Sequence, residues 1–201
     1  MRLFRPWFFF RSLYPDVISR IKTSEKILFL TFDDGPDPES TPEVLDILNN
    51  YNVRAIFFCN GEAAEKYPDL VEKIKETGHL IGNHGYNHLN GWKTSIDKYC
   101  DDINRASQFT SGNLFRPPYG RLTINQYRIL RKSFRIILWD IMCYDFDRSF
   151  DGERSLHILN KKLRSGSIIV LHDTTASTSR TFLKDFIEKS ISEGYRFELG
   201  I

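Results

Sequence analysis

The chain has 201 residues, with 28 Lys and Arg against 26 Asp and Glu and a formal charge of +2, which excludes the strongly basic footprint of a nucleic-acid-binding protein. A composition of 41% hydrophobic and 27% charged residues excludes disordered, collagen-like and polytopic membrane classes. A chain of this length buries about 70% of its surface on folding, enough for one domain with a real core.

Residues 1–15 (MRLFRPWFFFRSLYP) combine Arg2, Arg5 and Arg11 with six aromatic residues. Arg5, Pro6 and Arg11 interrupt the apolar run and no small-residue cleavage site follows, so the segment does not read as an export signal. Residues 1–25 are expected to form an N-terminal arm packed over one end of a domain spanning 26–201. The alternative use is contact with an anionic membrane surface, and the expected compartment is the cytoplasm or the inner membrane surface. Cys59, Cys100 and Cys143 are odd in number and far apart, which reads as reduced thiols.

From residue 26 onward, short apolar runs alternate with amphipathic stretches, the pattern of a βα repeat and a parallel sheet. Seven strands are expected at 26–32 (KILFLTF), 53–59 (VRAIFFC), 79–83 (HLIGN), 113–116 (NLFR), 134–141 (FRIILWDI), 167–172 (SIIVLH) and 195–199 (YRFEL). Between the first two, Ser40-Thr41-Pro42-Glu43 precedes apolar residues at helical spacing, which predicts an N-cap at Ser40 and a first-turn proline. Gly78, Gly112, Gly166 and Gly194 follow amphipathic runs, where left-handed stop residues are expected.

Polar residues break this pattern at strand ends. Asp33 and Asp34 follow the first strand beside a Gly35-Pro36 turn, and their mutual repulsion calls for a cation. His84 and His88, after the third, share one face of a helical turn and can bind one metal. The zincin form of that spacing is excluded, because Gly85 stands where it needs a glutamate. With a carboxylate from the aspartate pair, the two imidazoles make a facial site with open positions. Arg116-Pro117-Pro118-Tyr119-Gly120 follows the fourth strand, Asp145 the fifth, and His172-Asp173 ends the sixth. Each has an ordinary structural explanation alone. Together they gather on the carboxyl side of the strands, where an α/β barrel or a doubly wound sheet places its active site. In a flat sheet of sequential strands, groups on the first and sixth would lie roughly 24 Å apart, so either closure or reordering of the strands is required.

The blocks Thr31-Phe32-Asp33-Asp34-Gly35-Pro36, His84-Gly85-Tyr86-Asn87-His88, Arg116-Pro117-Pro118-Tyr119-Gly120 and Val170-Leu171-His172 resemble the ordered motifs of the polysaccharide deacetylase family, the NodB-homology domain of carbohydrate esterase family 4. The similarity runs from about Lys26 to the C-terminus. It implies a distorted (β/α) barrel of about seven parallel strands and a metal-dependent hydrolase that removes acetyl groups from N-acetylated saccharides. By the same resemblance Asp34, His84 and His88 hold one divalent ion, zinc by default with cobalt or nickel as alternatives. Asp33 is then the general base, Tyr119 supplies a backbone N–H to the oxyanion, and His172 protonates the leaving amine. Arg116 orients Asp33, and Asp145 holds His172.

Phe146 and Val170 stand where the family usually has tryptophan and leucine; both are expected to keep an apolar groove wall and to bear on substrate preference. Trp92, in the polar loop Asn90-Gly91-Trp92-Lys93, is the expected stacking platform for a sugar ring, whereas Trp139 is expected in the core. Two other classes of function are weighed: a carbohydrate-binding protein on a deacetylase frame, and an N-deacylase of a non-carbohydrate amide. The residues leave the polymer, the choice between N- and O-acetyl groups and the oligomeric state open.

Overall fold

The computed structural model describes residues 13–201; residues 1–12 of the expected arm, with most of its aromatic and basic side chains, lie outside them. The first strand, β1 (Ile27–Asp33), is buried at every position after Ile27, as expected of a parallel strand covered on both faces. Its alternation decides where the site forms. Leu28, Leu30 and Phe32 join an outer cluster with Val44, Leu45, Leu48, Phe182, Leu183 and Phe186. Phe29 instead joins an inner cluster with Ile56, Phe58, Leu114, Ile137 and Ile168. The period of two therefore points Phe29, Thr31 and Asp33 inward, from the apolar floor to the polar mouth.

The remaining strands are β2 (Ile56–Cys59), β3 (Leu80–Asn83), β4 (Leu114–Phe115), β5 (Arg135–Ile136), β6 (Ile141–Met142), β7 (Ser167–His172) and β8 (Arg196–Phe197). All pair in parallel, in the order β5-β4-β3-β2-β1-β7-β6, with β8 beside the start of β1. The single strand expected at 134–141 is thus two short ones at opposite ends of this path. Its first half pairs with β4 and its second half with β7. Between them Ile137 N donates to Phe115 O at 2.8 Å, Leu138 N to Ile18 O at 2.8 Å and Asp140 N to Ile168 O at 2.8 Å. A segment that must serve both edges of a curled sheet cannot stay regular along its length, and this one divides where it crosses from one edge to the other. The result is the distorted, curled (β/α) architecture of seven expected strands, with the first and sixth now direct neighbours.

Helices cover the outer face: α1 (Ser40–Asn50), α2 (Gly61–Lys66), α3 (Pro68–Glu76), α4 (Ile96–Ala106), α5 (Ile124–Leu130), α6 (Gly152–Lys162) and α7 (Ser179–Ser192). No helix among the described residues is long and apolar enough to cross a membrane. The expected cap at Ser40 is corrected: Asp37 Oδ1 accepts from Glu39 N and Ser40 N, both at 2.9 Å, so the carboxylate three residues earlier takes the capping role and Ser40 is already helical. The four expected stop glycines all adopt positive φ, from 77° to 84°. The three cysteines are free.

The chain preceding β1 is built into the barrel. Tyr14 OH donates to Leu122 O at 2.7 Å, Ile18 pairs with Ile137, and Ile21 N donates to Gly166 O at 2.9 Å. Gly166 has φ 77°, and a Cβ there would fall on the Ile21 carbonyl. Gly166→Ala should therefore cost more than about 1 kcal/mol, measured by urea denaturation. An unchanged midpoint would mean that residues 14–21 do not seat against this turn.

Candidate active site

Asp33 and His172 end β1 and β7 and are direct register partners. Asp34 follows with φ 76°, which turns its side chain away from the strand direction and toward β3. His84 stands immediately after β3. The 84–88 segment is a loop, not the helical turn expected from the spacing, and Gly85 and His88 have φ 74° and 53°. The buried Asp102 carboxylate shapes it: its oxygens accept from Tyr86 N at 2.8 Å and from Asn87 N at 3.1 Å. The two imidazoles still converge, with ring centroids 5.1 Å apart.

Asp34 Oδ1 lies 3.4 Å from His84 Nε2 and 3.2 Å from His88 Nε2. His84 Nδ1–H donates to Arg116 O at 2.8 Å; a carbonyl only accepts, so in the neutral ring the Nε2 lone pair faces Asp34. Asp34 Oδ1 is itself buried without a directed hydrogen-bond donor. A carboxylate oxygen and an imidazole lone pair turned toward each other are repulsive until a cation stands between them. Together the three ligand atoms lie within 4.8 Å of one another, and this donor set fits a divalent ion such as zinc.

Asp33 is held differently. Arg116 is wholly buried, and its Nη1 donates to Asp33 Oδ1 at 2.6 Å and to Thr31 Oγ1 at 2.7 Å. Its Nε and Nη2 donate to Ile137 O at 3.3 Å and Leu138 O at 3.2 Å. Burial works to lower the guanidinium pKa, and Asp33 opposes that loss. Asp33 Oδ1 is thereby occupied, while Oδ2 faces the Asp34, His84 and His88 group, 3.9 Å from His84 Nε2.

Across the mouth, Asp145 is fully buried; it accepts from His172 N at 2.7 Å through Oδ2 and from His172 Nδ1–H at 3.0 Å through Oδ1. Burial works against a charged ring at His172, but the Asp145 carboxylate, with smaller contributions from Asp34 and Asp33, outweighs it and raises the imidazole to about 9.

Tyr119 packs on His88 with ring centroids 4.5 Å apart, and Phe146 packs on His172 at 4.8 Å. Both remain exposed, at 57% and 42%, as does Trp92 at 62%. Tyr119 has φ 60°, and the bonds of its turn run from Gly120 N to Pro117 O and from Arg121 N to Pro118 O, neither using the Tyr119 N–H. Trp139 is partly buried against Gly120. Val170 is corrected: it points inward from β7 below His172 and is wholly buried, so its side chain forms part of the floor and not a groove wall. Sequence reasoning misses Asp102 altogether and places Asp173 at the strand end without a role. Asp173 accepts from Gly35 N at 3.1 Å and from Thr41 Oγ1 at 2.6 Å, anchoring the turn after Asp34, and burial pushes its carboxyl up to about 7. Its place directly after His172 was the available signal; Asp102, inside α4, offered none.

Parallel strands curled into a barrel, with ionisable groups gathered at their carboxyl ends, define a domain of the (β/α) class with a candidate active site at its mouth. A family model described as polysaccharide deacetylase matches residues 20–133, and the chain belongs to that family. The match ends before Asp145 and His172, which longer similarities cover. One peptidoglycan-N-acetylglucosamine deacetylase of Bacillus cereus is 35% identical over 187 residues, covering 88% of this chain and 87% of the relative. A second from the same organism is 38% identical over 152 residues, covering 72% of this chain and 55% of the relative, so the chain spans little more than half of that protein. Among solved structures, the Bc1960 peptidoglycan N-acetylglucosamine deacetylase superposes with a TM-score of 0.88 at 32% identity, covering 96% of this chain and 94% of that one.

Removing the Asp145 charge should lower the His172 pKa from about 9 toward or below the ordinary 6.5. A raised imidazole stabilises the fold fully below 6.5, and that contribution is lost as pH rises through about 9. In Asp145→Asn the His172 ring signals should accordingly titrate at lower pH by NMR, and the stability advantage of the parent over this variant should shrink between those two values. An unmoved titration would detach His172 from Asp145.

Proposed function

We propose that this protein hydrolyses the acetamide of N-acetylated saccharides, releasing acetate and leaving a free amine on the sugar. The observation that carries the reading is the convergence at one barrel mouth of Asp33 and His172, in register on neighbouring strands, with the ligand group Asp34, His84 and His88. The relatives' names, peptidoglycan N-acetylglucosamine deacetylases, support an N-acetylated amino sugar as substrate. Asp34, His84 and His88 would hold the ion, zinc by default with cobalt or nickel as alternatives. When bound, such an ion supplies Lewis acidity, polarising a carbonyl and acidifying water.

Asp33 accepts the proton of the attacking water through Oδ2, since Arg116 occupies Oδ1. The Tyr119 N–H donates to the oxygen that becomes negative as the carbonyl carbon turns tetrahedral. His172 then gives its Nε2 proton to the departing nitrogen while its Nδ1 proton stays on the ring, hydrogen-bonded to Asp145 Oδ1. An amide anion is a very poor leaving group, so breaking the carbon–nitrogen bond depends on that proton. A binding protein needs neither a base nor a proton donor at the mouth, and the presence of both favours turnover.

The test is acetate release from N-acetylglucosamine oligomers and acetylated polymers by chelated protein resupplied with zinc or cobalt. Asp33→Asn should keep its metal and lose turnover by about 10²–10⁴-fold, whereas His84→Ala should lose metal on dialysis. Metal content unchanged in His84→Ala would place the ligands elsewhere, and near-parental rates in Asp33→Asn would remove it as the base.

A further inference from the structure

One cation at the rim has no part in the chemistry above. Arg121 follows the Pro118–Gly120 turn directly, and its guanidinium carbon lies 5.1 Å from the centroid of the Trp92 ring and 5.9 Å from that of Tyr119. Tyr119 in turn packs on the metal-ligand candidate His88 at 4.5 Å, so the guanidinium stands within about 10 Å of that imidazole.

Within the same stretch Arg105 pairs with Glu65, Arg116 with Asp33 and Arg131 with Asp16. No carboxylate among the described residues pairs with Arg121. The surrounding sequence sharpens the contrast, because residues 103–139 hold seven Lys and Arg and no Asp or Glu. A carboxylate meeting Arg121 therefore has no near neighbour in sequence to compete with it.

The position is built, not a loose surface charge. Trp92 N donates to Asn90 Oδ1 at 3.1 Å and Trp92 Nε1 to Leu122 O at 3.3 Å. The buried Gln126 joins the two loops, donating to Gly91 O at 3.0 Å and to Thr94 O at 3.1 Å while accepting from Thr123 N at 2.9 Å. Two aromatic faces thus hold a planar cation beside the mouth. No hydrogen bond to a described residue uses the guanidinium of Arg121, and guanidinium N–H donors bind a carboxylate in a fork.

From this we infer that Arg121 reads a carboxylate on the substrate: the saccharides this site prefers carry an acidic substituent on or beside the N-acetylated sugar. The inference rests on the deacetylase reading and narrows its substrate class.

The experiment uses a matched pair of N-acetylated oligosaccharides of equal length, one neutral and one with ring hydroxymethyl groups oxidised to carboxylates. Acetate release is measured with metal-loaded protein, and binding by calorimetry with the metal-free protein. The acidic member should have the higher kcat/KM, by about tenfold at low salt, with the preference falling as salt rises. Arg121→Gln should bring the acidic-to-neutral ratio near one, mostly through KM, and Arg121→Lys should restore part of it. The same order should appear in the calorimetric affinities. Acetate release with no preference for the acidic member, or a preference unmoved in Arg121→Gln, would overturn the inference and leave the deacetylase reading standing. Tighter acidic binding that is lost in Arg121→Gln, without acetate release from either member, would uphold the carboxylate contact and sink the deacetylase reading.

Discussion

A guanidinium sealed inside a protein must find an acceptor for nearly every donor, and the wholly buried Arg116 organises the barrel by that requirement. It reaches from the end of β4 across to Thr31 and Asp33 on β1 and to the carbonyls of Ile137 and Leu138, while its face lies 4.1 Å over Phe58. Those two carbonyls belong to the short stretch where the divided strand passes from one sheet edge to the other. Their ladder partners are missing there, and the guanidinium supplies the donors instead. The same group that lets the sheet curl also fixes which oxygen of Asp33 remains open to the mouth. Removing one partner of a buried pair of this kind costs about 3–5 kcal/mol, because the other charge stays behind without compensation. Closure and catalytic geometry are therefore one constraint.

Much of this follows from local pattern. Alternation in KILFLTF and SIIVLH is enough to place Asp33 and His172 inward and at the carboxyl end, because period two is a property of the strand itself. The left-handed glycines are equally local. What local pattern does not carry is the division of residues 134–141, since nothing within that apolar run states that its halves answer to different neighbours. The His84 and His88 spacing misleads for a related reason. Four-residue spacing is shared by helices and by many loops, and the choice here is made by Asp102, a buried carboxylate on α4 that captures two backbone N–H groups of the loop. Asp173 acts similarly across 138 residues of sequence on the turn after Asp34. Val170 shows the limit of motif position as a guide: a residue two places from His172 on the same strand shares its inward direction, but it lies one layer deeper and meets only protein.

Adjacent aspartates also show how one short block supports two roles. Asp33 keeps strand geometry and meets a permanent cation, whereas Asp34 leaves the strand through φ 76° and meets two imidazoles. A single reversal of backbone hand separates the two carboxylates into different electrostatic surroundings, which their sequence neighbourhood alone would make alike.

That reversal is not isolated. Among the described residues, five non-glycine residues have positive φ: Asp34, His88, Tyr119 and Tyr144 at the mouth, and Asn52 elsewhere. Each such conformation costs on the order of 1–3 kcal/mol and persists only where its surroundings over-determine it. Here those surroundings are identifiable: Asp173 on the turn after Asp34, Asp102 on the loop before His88, the Pro117-Pro118 turn at Tyr119, and the buried Asp145 that anchors the chain after Tyr144. Asp102 and Asp173, outside the proposed chemistry, and Asp145 within it thus do for the backbone what Arg116 does for the sheet. They hold strained positions in the one arrangement where Asp33, Asp34, His84, His88 and His172 meet, so that the mouth is organised before anything binds.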